Sequence, residues 1–412
     1  MSARRSVTLL LAIAFAVTCQ SPAVAGPGYI RGSYTAELYS YDDGSEAKWD
    51  QYHRIGLTLT KPLTGRDRYW GIGLNERIRV FEDRKILTLS QHVYEGNIVL
   101  HNLLNRTIFT VGQQFVYNTL GSSHLNGVRL QYAIFGKLRA DVFGGREQWF
   151  YDIARSYNPT YQVWGARLSG DATSATQVGG NWMLRRTGGR EVYHRAGLDL
   201  THRLRKSELY GRGGWNLLTN RIADLLGRVT VTPKDWYASG EFHWREPNVA
   251  ANSIFSVIAY DHYKRARIEV RRRLTNQLWV YKSAHATFVQ GGTIWLGTLG
   301  ITGPGYSIGW SHQEGRGTKS DGLTGSVAAD LKPNWTVFGS SNLSRYRVQG
   351  EQADESDAYA TSAGIGWRPA RGWQVQVQGQ WLRNAVRTSD VRFLFQLTKA
   401  FSTTIGGKGA GK

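Results

Sequence analysis

The clearest pattern in the chain is Trp373-Gln374-Val375-Gln376-Val377-Gln378-Gly379-Gln380-Trp381, in which odd positions are apolar or glycine and every even position is glutamine. Successive side chains of an extended strand point to opposite faces, so this run predicts a strand with an apolar strip on one face and a polar ladder on the other. The two tryptophans stand roughly 26 Å apart along a strand at ~3.3 Å per residue, or about 20 Å of thickness at a tilt of ~40°. That is near the spacing of the two aromatic girdles of a transmembrane barrel, and Trp373 and Trp381 are the expected girdle residues.

The same period recurs along most of the chain. Ile55, Leu57 and Leu59 share one face of a predicted strand that begins at Arg54; Ile72, Leu74, Ile78 and Val80 stand opposite Arg77 and Arg79. Val128, Leu130, Tyr132 and Ile134 alternate with Arg129 and Gln131, and Leu138, Ala140 and Val142 with Arg139 and Asp141. Ala196, Leu198 and Leu200 alternate with Arg195, Asp199 and Arg203; Ala266, Ile268 and Val270 alternate with Arg265, Arg267, Glu269 and Arg271. Asn126-Gly127, Thr187-Gly188-Gly189, Leu274-Thr275-Asn276 and Gly303-Pro304-Gly305 read as tight turns. Tyr41 to Ala47, Arg146 to Tyr157, Gln313 to Asp321 and Gln349 to Asp357 read as longer polar loops. Between Tyr29 and Phe401 the pattern predicts about twenty strands, within a range of about 16 to 22, with an even count expected. The predicted fold class is all-β: a closed antiparallel transmembrane β-barrel, in which only every second residue faces lipid. A barrel of this size is too wide for its own side chains to fill.

Other features of the chain narrow this picture. After the first residues no apolar run approaches the length of a spanning helix. The opening Met1-Ser2-Ala3-Arg4-Arg5, the apolar run from Val7 to Val17 and the small-residue segment Ala23-Val24-Ala25 read as a secretory signal, residues 1–25, cut after Ala25. Residues 26–401 are then the barrel, and 402–412 a short flexible tail. The one cysteine, Cys19, falls in the removed segment, which excludes disulfides, thiolate catalysis and c-type haem attachment on the mature chain. Removing two arginines lowers the formal net charge from +20 to +18. For an exported protein this basic balance points to anionic lipid, including lipopolysaccharide, to anionic solutes or to an acidic partner, and away from nucleic acid. The chain is rich in glycine and tryptophan, with 48 and 15 residues. A secreted β-sandwich or propeller would also alternate, but at this length it would divide into domains.

Two segments carry resemblances. In Val391-Arg392-Phe393-Leu394-Phe395-Gln396-Leu397-Thr398-Lys399-Ala400-Phe401 the residues Phe393, Phe395 and Phe401 share one face. This resembles the C-terminal strand signal read by the outer-membrane barrel-assembly machinery, though here the chain continues past Phe401. Gly112-Gln113-Gln114 followed by Asn126-Gly127-Val128-Arg129-Leu130 resembles the G-R-Q and D-G-V-R-L pattern of alginate-export-type and related porin-like barrels. Gln113 stands at the arginine position and Asn126 at the aspartate position. The resemblance implies the broad porin-like group.

The polar face is rich in arginine. Alternation places Arg77, Arg79, Arg129, Arg139, Arg167, Arg195, Arg212, Arg265, Arg267, Arg271 and Arg273 on the lumen side as the pore-lining set, with Arg31, Arg54, Arg185, Arg203 and Arg228 beside them. Inward acids are fewer: Glu37, Asp141, Asp199, Asp224 and Glu269. A pore wall with excess fixed positive charge concentrates anions and repels cations. The same residues also read as a network of ion pairs stiffening the wall. No metal, cofactor or enzymatic activity is expected. The match Gly305-Tyr306-Ser307-Ile308-Gly309 follows a turn and enters an alternating strand, whereas a nucleophile elbow enters a helix. The glycines of Gly211-Arg212-Gly213-Gly214 lie in a strand pattern and are expected to relieve packing against neighbouring aromatics rather than cradle phosphate. Three functions fit: a diffusion channel for anionic solutes, a barrel sheathing an acidic or haem-protein guest as in a porin–cytochrome electron conduit, and an export channel for an anionic polysaccharide. A long inward loop would favour the first, and Arg146 to Tyr157 is the candidate for it.

Overall fold

The computed structural model describes residues 28–42, 47–63, 67–83, 86–102, 104–148, 161–246, 263–289, 291–347, 355–385 and 389–405. The proposed signal segment lies outside them. In chain order the strands are β1 (Gly28–Asp42), β2 (Ala47–Pro62), β3 (Tyr69–Asp83), β4 (Ile86–His101), β5 (Thr107–Asn118), β6 (Gly121–Phe135) and β7 (Leu138–Glu147). They continue with β8 (Gln162–Asp171), β9 (Thr176–Thr187), β10 (Arg190–Leu204), β11 (Ser207–Asn216), β12 (Arg221–Val231), β13 (Trp236–Arg245) and β14 (Tyr263–Arg273). The circuit ends with β15 (Trp279–Val289), β16 (Gly292–Gly303), β17 (Tyr306–Gly315), β18 (Thr318–Lys332), β19 (Trp335–Arg347), β20 (Ser356–Trp367), β21 (Trp373–Arg383) and β22 (Asp390–Ile405). Each strand pairs antiparallel with its neighbours in sequence, and β1 pairs with β22 from Gly28↔Ile405 to Tyr41↔Arg392. The result is a closed barrel of 22 strands.

The outer face explains the alternation. Leu168, Leu198, Ile268, Val327 and Phe393 are each at least half exposed although they sit in regular strands. A band of exposed aliphatic and aromatic side chains around a closed sheet is the architecture of a porin-like outer-membrane barrel, in which lipid takes the place of a core. Trp373 lies at one end of the outward strip of β21 and Trp381 at the other. Trp335 stacks on Trp367 at the Trp373 end, with ring centroids 5.4 Å apart, and Tyr359 stacks on Trp381 at the far end, 6.3 Å apart. Phe393, Phe395 and Phe401 all lie on the outer face of β22.

Three turn expectations match the observed connections: 188–189, 274–278 and 304–305. Gln313 to Asp321 is a correction. It is the upper part of the β17–β18 hairpin, turned at Arg316 and Gly317 with φ of 52° and 73°. Its polar residues pair across the hairpin, with His312 bonded to Asp321 at 2.7 Å, so polarity here marks strands rising out of the apolar zone. Asn126-Gly127 is a second correction, because both residues lie inside β6. The expected tail from Ser402 begins as strand, since β22 continues through Ile405 against Gly28. Most of Arg146 to Tyr157 lies outside the described residues.

The connections differ at the two ends. Those after β7, β13 and β19 run across 148–161, 246–262 and 348–355, and all three leave the same end. The opposite end carries both β1 and β22 termini and shorter connections. Long loops on one side and short turns on the other are usual for outer-membrane barrels.

Candidate functional site

The inner wall is the candidate site. Cross-strand register puts the eleven arginines of the pore-lining set on the face opposite the exposed apolar residues. Eight of the eleven meet an acid. Arg79 bonds Asp50 at 2.9 Å, Arg129 bonds Asp141 at 2.5 Å, Arg167 bonds Asp199 at 2.8 Å and Arg212 bonds Asp224 at 2.7 Å. Arg265 bonds Glu241 at 2.8 Å and Arg273 bonds Asp235 at 2.6 Å. Arg267 and Arg271 share one acid, Glu269, at 2.5 Å each. Arg77, Arg139 and Arg195 have no acidic partner among the described residues. Arg77 lies over the ring of Tyr52 at 5.3 Å; Arg195 lies over Tyr193 at 4.8 Å and is buried, so it faces inward without lining the open passage, a correction to its place in the pore-lining set. Charge-assisted pairs of this kind hold neighbouring strands in register, while two arginines on one carboxylate leave a net positive charge on the wall.

The charge is confined to part of the circuit. On β17–β21 the inner face carries Ser307, Ser326, Ser340 and Ser362, hydrogen-bonded in pairs (2.7 Å and 2.9 Å), followed by the glutamines of β21. That wall is mainly neutral and polar, with Asp330 and Phe338 the exceptions on the same face.

The most unusual element is the β5–β6 hairpin. β5 pairs with β4 only from His101↔Ile108 to Gly96↔Gln113, and β6 pairs with β7 only as far as Leu125↔Glu147. Beyond those points the hairpin continues alone, from Gln114↔Leu125 to Asn118↔Gly121. It folds into the lumen and lies on the inner faces of β7–β11. Its wall-facing side chains Val116 and Leu125 are fully buried against Phe143, Val163, Met183 and Tyr193, with Leu120 packed against the cluster.

Polar contacts pin the tip. The Tyr193 hydroxyl donates to the Leu120 carbonyl at 2.6 Å, and Arg185 donates to the Ser122 carbonyl at 2.7 Å while pairing with Glu147 at 3.2 Å. Ser123 donates to Glu147 at 2.8 Å. Asn118 donates to the Trp182 carbonyl at 3.4 Å and accepts from the backbone N–H groups of Leu120 and Gly121, which closes the turn. Thr119 reaches Asp199 at 3.5 Å, joining the hairpin to the Arg167–Asp199–Asn181 cluster. Leu120 Cδ2 comes within 3.3 Å of where a Cβ on Gly214 would stand and within 2.7 Å of one on Gly197. The neighbour at Gly214 is therefore Leu120 of the hairpin tip and not an aromatic ring, while a Cβ at Gly211 or Gly213 would make only ordinary contacts.

Local sequence explains the crease. Gly112 has φ of 118°, and a Cβ there would collide with the Gly96 carbonyl. Gly112 is paired with Gly127 and Gly127 with Gly145. A Cβ on Gly127 would collide with the Gly144 carbonyl and lie 2.7 Å from Gly145 Cα. Backbone approaching backbone this closely tolerates only glycine. Gly112 and Gly127, both within the segments that resemble the porin-like pattern, therefore mark a fold line. Burying a large apolar side chain is worth roughly 1.5–3 kcal/mol, so the cluster offsets the ladder that β5 gives up above Gln113.

The lumen face of the hairpin presents Phe115 and Tyr117, 52% and 59% exposed, and His124, tilted against Phe115 with ring centroids 5.0 Å apart. At its base a pocket of about 330 Å³ is lined by residues including Glu95, Asn97, Gln114, Phe115 and Arg129. Sequence periodicity alone misses the hairpin, because Phe115 and Tyr117 keep the alternation of outward residues. The one signal was the pair of glycines. Among the described residues no cluster of histidine, cysteine and acid suits a metal ion.

No protein-family model matches this sequence, and no curated protein matches it. Among solved structures the chain is similar to the P pilus usher (PapC) translocation pore at 8% identity, covering 92% of this chain and 100% of that one, with a TM-score of 0.48. It is similar to OccAB3 of Acinetobacter baumannii at 10% identity, covering 91% and 99%, with a TM-score of 0.45. It is also similar to OpdL of Pseudomonas aeruginosa at 10% identity, covering 92% and 98%, with a TM-score of 0.42. Similarity this low assigns the chain to none of these groups.

Proposed function

We propose that this barrel is an outer-membrane diffusion channel that favours anionic solutes. The observation that carries the reading is the surplus of arginine on the inner wall, above all Arg267 and Arg271 sharing Glu269, with Arg77 and Arg139 lacking an acidic partner among the described residues. Fixed positive charge in a low-dielectric wall raises the local anion concentration and opposes cation entry. Mutual pairing of the other arginines reduces the field, so the expected preference is moderate and weakens as salt screens it. The wall-hugging hairpin supports a diffusion channel over a sheath, because it occupies the inner surface of β7–β11 that a guest protein would need. Export of the chain through a cleaved signal, insertion by the barrel-assembly machinery through Phe393, Phe395 and Phe401, and contact of the Trp373 and Trp381 girdles with lipid headgroups belong to the same proposal.

The test is the reversal potential of the purified protein in planar bilayers under a salt gradient. An anion preference that falls or inverts with Arg267→Glu plus Arg271→Glu is the expected result. A cation preference in the unsubstituted protein would overturn the reading.

A further inference from the structure

We propose that the β5–β6 hairpin is the constriction of this channel, and that Phe115, Tyr117 and His124 form the surface it presents to a passing solute. The inference rests on the channel reading but not on its ion preference.

Four observations converge. A barrel of 22 strands encloses a lumen far wider than a small solute, and barrels of that size are ordinarily plugged. The hairpin is the element that supplies lumen-filling mass here, since among the described residues it is the one pair of strands that leaves the wall on both sides. Its seat is built: an apolar cluster beneath it, polar bonds from Tyr193, Arg185 and Glu147 along it, and glycines at the fold line. Its free face is aromatic and exposed where a hairpin resting in water without a role would present polar residues. Tyr210 and Arg212 lie on the inner wall of β11 next to the tip, whose Leu120 packs at Gly214. An anion carrying an apolar or planar body would find a π surface on the hairpin and guanidinium groups on the wall beside it. The inferred solute class is therefore small organic anions rather than inorganic ones alone. The opposite boundary of the passage is the wall of β17–β21, rich in serine and glutamine.

The test uses the full-length protein, whose exported form is expected to lack cysteine. Tyr117→Cys is treated with a thiol-reactive alkyl sulfonate while single channels are recorded, with Phe395→Cys, on the lipid face, as control. Modification at position 117 should lower the conductance stepwise and weaken anion preference, while modification at 395 leaves both unchanged. Complete modification of Tyr117→Cys, verified by mass, with no change in conductance would overturn the proposal. Independently, Leu120→Cys with Gly214→Cys should be joined by a short bis-maleimide in detergent. A joined pair fixes the hairpin on β11 even if the protein conducts no ions, so failure of the channel reading is distinguished from failure of this one. An unjoined pair, with both thiols reactive, would show that the tip does not rest there and would likewise overturn it.

Discussion

Two halves of the inner wall are built on different principles. From β5 to β15 the wall is charged and layered: arginines and acids meet across strands, and a second sheet of two short strands lies on an apolar patch. From β17 to β21 it is a single layer rich in serine and glutamine, with no second layer upon it among the described residues. Small hydroxyls and amides need only water, so that half stands bare. Val163, Met183 and Phe143 would cost free energy if left facing water in the lumen, and the hairpin removes them from it. The comparison shows that inward and polar are not synonyms in a barrel. A fully buried apolar residue on the inner face, such as Val163 or Met183, is a signature of something folded against it; the partly exposed Phe338 of the other half is not.

The largest effect expected from breaking this contrast is at the fold line. Gly127→Val places a branched side chain against the Gly144 carbonyl, so the hairpin cannot lie down. Single-channel conductance should rise several-fold and the cross-link between positions 120 and 214 should disappear; a variant with unchanged conductance would mean that the hairpin does not narrow the lumen. Next is Asp199→Ala, which leaves Arg167 without its carboxylate beneath the hairpin tip. Removing one member of a mostly buried pair costs on the order of 3 kcal/mol, less where water reaches the arginine, and should appear as a lower temperature of barrel unfolding on heat-modifiability gels. Smaller still is the contrast between Arg139→Gln and Arg129→Gln. The first removes an arginine without an acidic partner and should lower anion preference at little cost in stability. The second also strands Asp141, so it should shift selectivity further and cost about 1–3 kcal/mol. At the bottom of the scale, Ser340→Ala with Ser362→Ala on the bare half should change stability by less than ~1 kcal/mol and leave conductance as it was.

The barrel was legible in the sequence because its outer face obeys a local rule: alternate residues meet lipid, whatever their partner strands. The inward direction of Arg77, Arg195 and Arg267 followed from the same parity. Their partners did not, since whether Arg167 meets Asp199 depends on the registers of β8, β9 and β10 together. Asn126-Gly127 misled for an instructive reason. Locally the pair has the chemistry of a tight turn, yet Gly127 is required by the approach of Gly145 from the next strand, and the turn is made by Asn118 instead. The inward hairpin was invisible to alternation because folding a sheet over itself preserves parity and changes only what each face meets.

The seam between β1 and β22 gives the assembly a chronology. Its partners, Gly28 with Ile405 among them, are nearly the whole chain apart, whereas the hairpin and its seat lie within β5 to β11. Contacts close in sequence form sooner than contacts between distant segments, because less chain entropy is lost in making them. The hairpin can therefore settle on an open, curling sheet well before the last strand reaches the first. The passage is narrowed before there is a passage, and the finished barrel never needs to admit the hairpin through its own mouth.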